Sequence, residues 1–162
     1  MSKLIATLFG VGYLKPAPGT WGSLAALPLF WLIHQAGGPL LAVLATLAVS
    51  GLGWWAIARA TERSDDHDPS EIVIDEVAGQ WVALLPVSFG AAMMGVGVLA
   101  LYPGWIAAFV LFRLFDIWKP GPVGWADRRN DPFGVMLDDI IAGVMAAIGG
   151  ILLAGLAHGV MM

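Results

Sequence analysis

Residues 16–58, PAPGTWGSLAALPLFWLIHQAGGPLLAVLATLAVSGLGWWAIA, contain no Asp, Glu, Lys or Arg. An uncharged apolar run of about 18 residues or more is long enough to cross a bilayer as a helix. This one is 43 residues long, and Gly37-Gly38-Pro39 near its centre reads as a tight turn. It therefore predicts two apolar helices joined as a hairpin. Two further windows, 77–112 and 140–162, are also free of formal charge. The 20 charged residues of the 162-residue chain are confined to three blocks, 1–15, 59–76 and 113–139.

Composition agrees with that patterning. Charged residues make up 12% of the chain and hydrophobic types 59%, with a mean hydropathy of +0.80. A soluble domain carries about 25% charged residues. Half that charge leaves too little polar surface to cover a soluble core. The balance argues against a soluble globular domain, a disordered chain and a nucleic-acid partner. There is no cysteine, which removes thiolate metal sites and cysteine nucleophiles together. The apolar start is broken by Lys15-Pro16-Ala17-Pro18-Gly19 with no small-residue cleavage site, so it reads as part of the mature protein.

The expected fold is an all-α integral membrane protein in one domain spanning residues 1–162. It is a compact bundle of four to five transmembrane or half-spanning helices behind a short N-terminal interfacial segment. Spans are expected at 21–36, 40–58, 72–85, 98–115 and 137–158. Pro86 is expected to end the third, with a Gly-rich loop over 86–97. Pro120, Pro122 and Pro132 are expected to keep much of the second charged block non-helical. Five spans put all three charged blocks, and all eight Lys and Arg residues, on one side. The positive-inside rule makes that side cytoplasmic, with the N-terminus in and the C-terminus out. Trp21, Trp54, Trp55, Trp81, Trp105, Trp118 and Trp125 fall near span ends or in charged blocks, as interfacial anchors do.

The acids sit at the ends of the expected spans. Asp75 and Glu76 begin the third, Asp116 ends the fourth, and Asp138 and Asp139 begin the fifth. The topology brings all five carboxylates to one membrane surface. Such a cluster repels itself, the more so beside a low-dielectric slab, and a divalent cation offsets the repulsion. Oxygen ligands without cysteine favour Mg²⁺ over zinc or copper. Arg113-x-x-Asp116-x-x-Lys119 adds two cations at helical spacing, which suits a phosphate ester held beside a metal. An ion pair within the helix is the alternative use of those residues. Lys15-Pro-Ala-Pro-Gly-Thr20-Trp-Gly-Ser23 feeds a helix N-terminus, where free N–H groups bind anions. Thr20 serves there either a phosphate or an ordinary N-cap. Asp65, Asp66 and Asp68 read as a solvated loop, with His67 among them a possible ligand. His34 and His158 read as packing residues.

Three segments, GYLKPAPGTWGSLAALP (12–28), DPSEIVIDEVAGQW (68–81) and FRLFDIWKPGPVGWADRR…GVMLDDIIAG (112–143), resemble the phosphatidylglycerophosphatase A family. The resemblance covers nearly the whole chain. It implies a Mg²⁺-dependent phosphomonoesterase that hydrolyses phosphatidylglycerophosphate to phosphatidylglycerol and phosphate at the cytoplasmic face of the bacterial inner membrane. On that reading Asp75, Glu76, Asp116 and Asp139 carry the catalysis, and with Asp138 they include the metal ligands. Arg113, Lys119, Lys15 and Thr20 hold the substrate phosphate. The partners are a phospholipid and the membrane. A small transporter or assembly factor and a lipid phosphotransferase are the competing classes, since acids within a membrane also mark ion paths.

Overall fold

The computed structural model describes residues 1–64 and 69–161, with side chains placed to residue 157. Asp65, Asp66, His67 and Asp68 lie outside the described residues, as does the side chain of His158. The described chain is helical, in the order α1 (Ser2–Ala6), a 3-10 turn (Leu8–Tyr13), α2 (Pro18–Ala60), α3 (Ile74–Met94), a second 3-10 turn (Val98–Leu101), α4 (Tyr102–Trp118), α5 (Pro122–Asp127) and α6 (Pro132–Met161).

The expected hairpin is present inside α2. Gly38 adopts φ 62°, ψ −156°, a conformation essentially reserved for glycine. With Gly37 it breaks the helical backbone and splits α2 into two arms. The first arm starts at Pro18, three residues earlier than expected. Proline suits that position because the first helical N–H groups have no partner inside the helix.

Three expectations are corrected by the structure. Helix α3 does not stop at Pro86 but continues to Met94, where Gly95 closes it in the left-handed conformation. Proline removes one backbone donor without obliging a helix to end, and tertiary packing carries α3 past it. The loop expected over 86–97 shrinks accordingly to the few residues before Val98. The block 113–139 is largely helical, because Pro122 and Pro132 each stand at the start of a helix, where proline is tolerated. Helix α6 thus begins at Pro132, five residues before the expected start.

Helix α3 is the centre of the bundle and packs against α2, α4 and α6. Phe30 of α2 contacts the rings of Trp81, at 6.3 Å and tilted, and Trp105, at 5.9 Å and edge-on. Both indoles are buried and satisfied. Trp81 Nε1 donates to the Ala26 carbonyl and Trp105 Nε1 to that of Val98. These two tryptophans are core residues rather than surface anchors, whereas Trp21, Trp54, Trp55, Trp118 and Trp125 are exposed. His34 Nδ1 and Ser88 Oγ lie 2.7 Å apart, a polar link between α2 and α3 consistent with a packing role.

The helices are long and apolar enough to cross a membrane: α2, α3, α6 and the stretch Val98–Trp118 all qualify. Their outward faces are also apolar. Ile106, Val110, Leu114 and Ile117 on α4, and Ile148, Leu152 and Leu156 on α6, are all exposed. A water-facing helix would alternate that stripe with charge.

Candidate active site

The five carboxylates expected from the sequence meet. Carboxylate oxygens of Asp75, Glu76 and Asp139 lie within 4.8 Å of one another, and so do those of Asp116, Asp138 and Asp139. Asp139 belongs to both groups. Adjacent residues on a helix point about 100° apart, so Asp138 and Asp139 diverge from α6. Asp138 turns toward α4 and the α4–α5 connection, and Asp139 toward α3. The pair Asp75–Glu76 opens the first turn of α3, where the helix dipole favours negative charge. Asp116 occupies the last turn of α4, where the dipole disfavours it, and a cation compensates.

That cation is Arg113, whose Nη1 lies 2.5 Å from Asp116 Oδ2, with both side chains about one-seventh exposed. The same Nη1 reaches across to α2 and lies 3.4 Å from Ser23 Oγ. Ser23 in turn donates to the Gly19 carbonyl at 2.9 Å. The start of α2 therefore belongs to the site. A Cβ at Gly19 would stand 2.1 Å from Glu76 Oε1 and 3.3 Å from Arg113 Nη1. The first turn of α2 has no side-chain cap, since its N-cap is Ala17 rather than Thr20. No side-chain oxygen caps its free N–H groups, and a helix N-terminus of that kind favours anions.

Lys119 departs from the expected geometry. It is the C-cap of α4, in the left-handed conformation, so it leaves the helical face that Arg113 and Asp116 share. Its Nζ donates to Asp138 at 2.8 Å and to Asp127. Burial acts to lower the Lys119 pKa, but the two carboxylates override it and hold the ammonium above the ordinary lysine range. Lys119 is thus an anchored cation that positions Asp138. Asp127 had no signal of its own in the sequence, because only the α4–α5 turn brings it to Lys119. Lys15 is exposed, and among the described residues no ion pair involves it; Thr20 is half-buried one residue beyond Gly19.

The site is rich in acid. Asp75, Asp138 and Asp139 are buried, at 5%, 5% and 3% exposed. Among the described residues no ion pair involves Glu76 or Asp139, and Glu76 Oε2 has no hydrogen-bond partner. Three carboxylate oxygens so close together suit one hard cation with oxygen ligands at about 2.0–2.6 Å. The donor set therefore fits a divalent metal.

Carboxylates converging beside an arginine and a helix N-terminus, at one end of long apolar helices, are the inventory that a phosphoester-cleaving enzyme uses. The family model described as Phosphatidylglycerophosphatase A matches residues 4–154, and the chain belongs to that family of phosphatases. A Phosphatidylglycerophosphatase A of Escherichia coli (strain K12) is 36% identical over 146 residues, covering 89% of this chain and 78% of the relative. One of Haemophilus influenzae is 36% identical over 147 residues, covering 90% and 83%. A Bacteroides thetaiotaomicron protein with a provisional phosphatidylinositol-3-phosphatase name is 39% identical over 150 residues, covering 90% and 88%. No solved structure matches the chain.

One consequence is local. The atom that a Cβ at Gly19 would strike is the far end of a flexible side chain, so the bundle yields easily and Glu76 moves. Gly19→Ala is expected to change the thermal midpoint by less than about 2 °C while lowering phosphatase activity roughly tenfold or more. Melting and turnover of the same purified sample check both halves.

Proposed function

We propose that this protein is a Mg²⁺-dependent lipid phosphomonoesterase that hydrolyses phosphatidylglycerophosphate to phosphatidylglycerol and phosphate at the cytoplasmic face of a bacterial inner membrane. The observation that carries the reading is the meeting of Asp75, Glu76, Asp116, Asp138 and Asp139 beside Arg113. The names of two relatives supply the substrate. The apolar outward faces of α4 and α6 support a membrane setting. The confinement of every Lys and Arg to the three charged blocks supports the cytoplasmic side.

The five carboxylates would hold the metal, with Asp139 shared between the two groups. When bound, Mg²⁺ neutralises phosphoryl charge and favours attack by water. Arg113 and the first turn of α2 bind the phosphate oxygens from the opposite side. Ser23 and Asp116 hold the guanidinium, and Lys119 holds Asp138. A carboxylate of the cluster accepts the proton of the attacking water as general base. The acyl chains stay beside the apolar helices, so the phosphate is presented at headgroup depth. Arg113 and the α2 terminus recognise the phosphate monoester.

The experiment is phosphate release by the purified protein from phosphatidylglycerophosphate, phosphatidic acid and phosphatidylinositol 3-phosphate, each with Mg²⁺ and with EDTA. Release is expected to be greatest from phosphatidylglycerophosphate. It should fall at least a hundredfold, about 3 kcal/mol in barrier, on chelation, and return when Mg²⁺ is restored. Equal release in EDTA refutes the metal. A preference for the inositol lipid moves the substrate to that named for the Bacteroides relative.

A further inference from the structure

Gln80 of α3 is fully buried. Neither its Oε1 nor its Nε2 has a hydrogen-bond partner among the described residues. A buried carboxamide without partners is destabilising, and an apolar side chain of similar length would avoid the penalty. A glutamine in that place calls for a use.

Its direction follows from its neighbours. Gly79 faces α4 and α6, since a Cβ there would lie 2.5 Å from both Phe112 Cε2 and the Asp139 carbonyl oxygen. Trp81 faces α2, where its Nε1 bonds to Ala26 at 2.9 Å. With 100° between successive residues, Gln80 points between those directions, into the wedge between α4 and α2. Arg113 crosses that wedge. It leaves α4 next to Phe112 and ends against Ser23 of α2. Its Nε, too, is buried without a partner. So is Oε2 of Glu76, which precedes Gln80 by one helical turn on the same face. Two turns beyond Ser23 on α2, Phe30 packs against Trp81 and Trp105 and bounds the wedge with apolar rings.

We propose that Gln80 positions Arg113: its Oε1 takes the Arg113 Nε–H through one bridging water, which Glu76 Oε2 shares. Such a water has three polar partners, the usual number for a buried site. Holding Nε fixes the plane of the guanidinium. The two Nη groups then present a rigid fork to phosphate oxygens, which a lysine ammonium cannot do. Gln80 touches neither substrate nor metal, and its role rests on the phosphatase reading above.

The test is a double-mutant cycle on phosphatidylglycerophosphate turnover with Gln80→Leu, Arg113→Lys and the pair. Leucine removes the carboxamide and preserves apolar packing, so Gln80→Leu is expected to keep or raise the thermal midpoint. It should raise KM for the lipid about tenfold with a smaller fall in kcat. Lysine has no donor at the Nε position. In the Arg113→Lys background, Gln80→Leu should therefore cost less than twofold. Gln80→Glu retains an acceptor and should recover part of the lost affinity. A KM and kcat/KM of Gln80→Leu within twofold of wild type, or full additivity with Arg113→Lys, overturns the role of Gln80 and leaves the phosphatase reading intact. Wild-type protein that releases phosphate from no lipid phosphomonoester refutes that reading, and the role of Gln80 falls with it.

Discussion

Asp139→Asn is expected to lower kcat/KM for phosphatidylglycerophosphate by about a thousandfold, or ~4 kcal/mol of transition-state stabilisation. The reason is its place in both carboxylate groups. Asp75→Asn disturbs only the group with Glu76, and Asp116→Asn only the group with Asp138. Both should be less damaging than Asp139→Asn, though each is expected to lose at least tenfold. Asparagine is nearly the same size and removes one of several like charges packed at 3–5% exposure. Repulsion within the cluster falls, so the variant should fold and melt no lower than wild type. Its Mg²⁺ requirement should also rise, because a neutral amide is the weaker ligand for a hard cation. Steady-state kinetics against Mg²⁺ concentration, with melting curves on the same samples, measure all three effects. Near-wild-type turnover in Asp139→Asn would remove the shared carboxylate from the mechanism.

The carboxylates were legible in the sequence because apolar windows act as rulers. When uncharged stretches of fixed length separate the charged blocks, helix ends must fall at the blocks. Acids at those ends then converge whatever the details of packing. Arg113 and Asp116 were legible for a related reason, since three residues along a helix are neighbours. Lys119 was not, because its place depends on a left-handed cap at the end of α4, and nothing in the i, i+6 spacing reveals that turn. The extent of α3 past Pro86 was hidden in the same way, because packing against three helices outweighs one missing backbone bond. Trp81 and Trp105 read as surface anchors because position near a span end does not say which face a residue takes. Gly19 read only as part of the Pro/Gly loop ahead of α2, and Gln80 carried no signal as a residue type. One matters for the side chain it lacks and the other for partners it does not find within the fold.

Gly79→Ala is expected to have the largest effect on stability, by a mechanism opposite to that of Gly19→Ala. At Gly79 the added Cβ would stand 2.5 Å from the backbone oxygen of Asp139 and from the buried Phe112 ring. Across the same crossing, a Cβ at Gly143 of α6 would stand 2.3 Å from the Gly79 carbonyl oxygen. One glycine on each helix is what lets α3 and α6 approach backbone to backbone. That approach uses one glycine from each helix rather than a GxxxG repeat at the crossing. Small residues at a crossing matter most where helices associate by packing rather than by expelling water. Neither backbone can turn aside as the Glu76 side chain can, so the helices must separate. Overpacking of this kind costs about 1–3 kcal/mol, enough to lower the thermal midpoint by roughly 5–10 °C. Separation also shifts Asp139, so activity should fall together with stability, whereas in Gly19→Ala activity falls alone. Gly79→Ala and Gly143→Ala relieve their clashes by the same displacement, so the double variant should cost less than the sum of the two. Gly51→Ala, where a Cβ meets nothing within 4 Å, is the control and should melt no lower than wild type. If Gly79→Ala melts with wild type, α3 and α6 do not approach backbone to backbone, and the placement of Asp139 between the two carboxylate groups fails with that crossing.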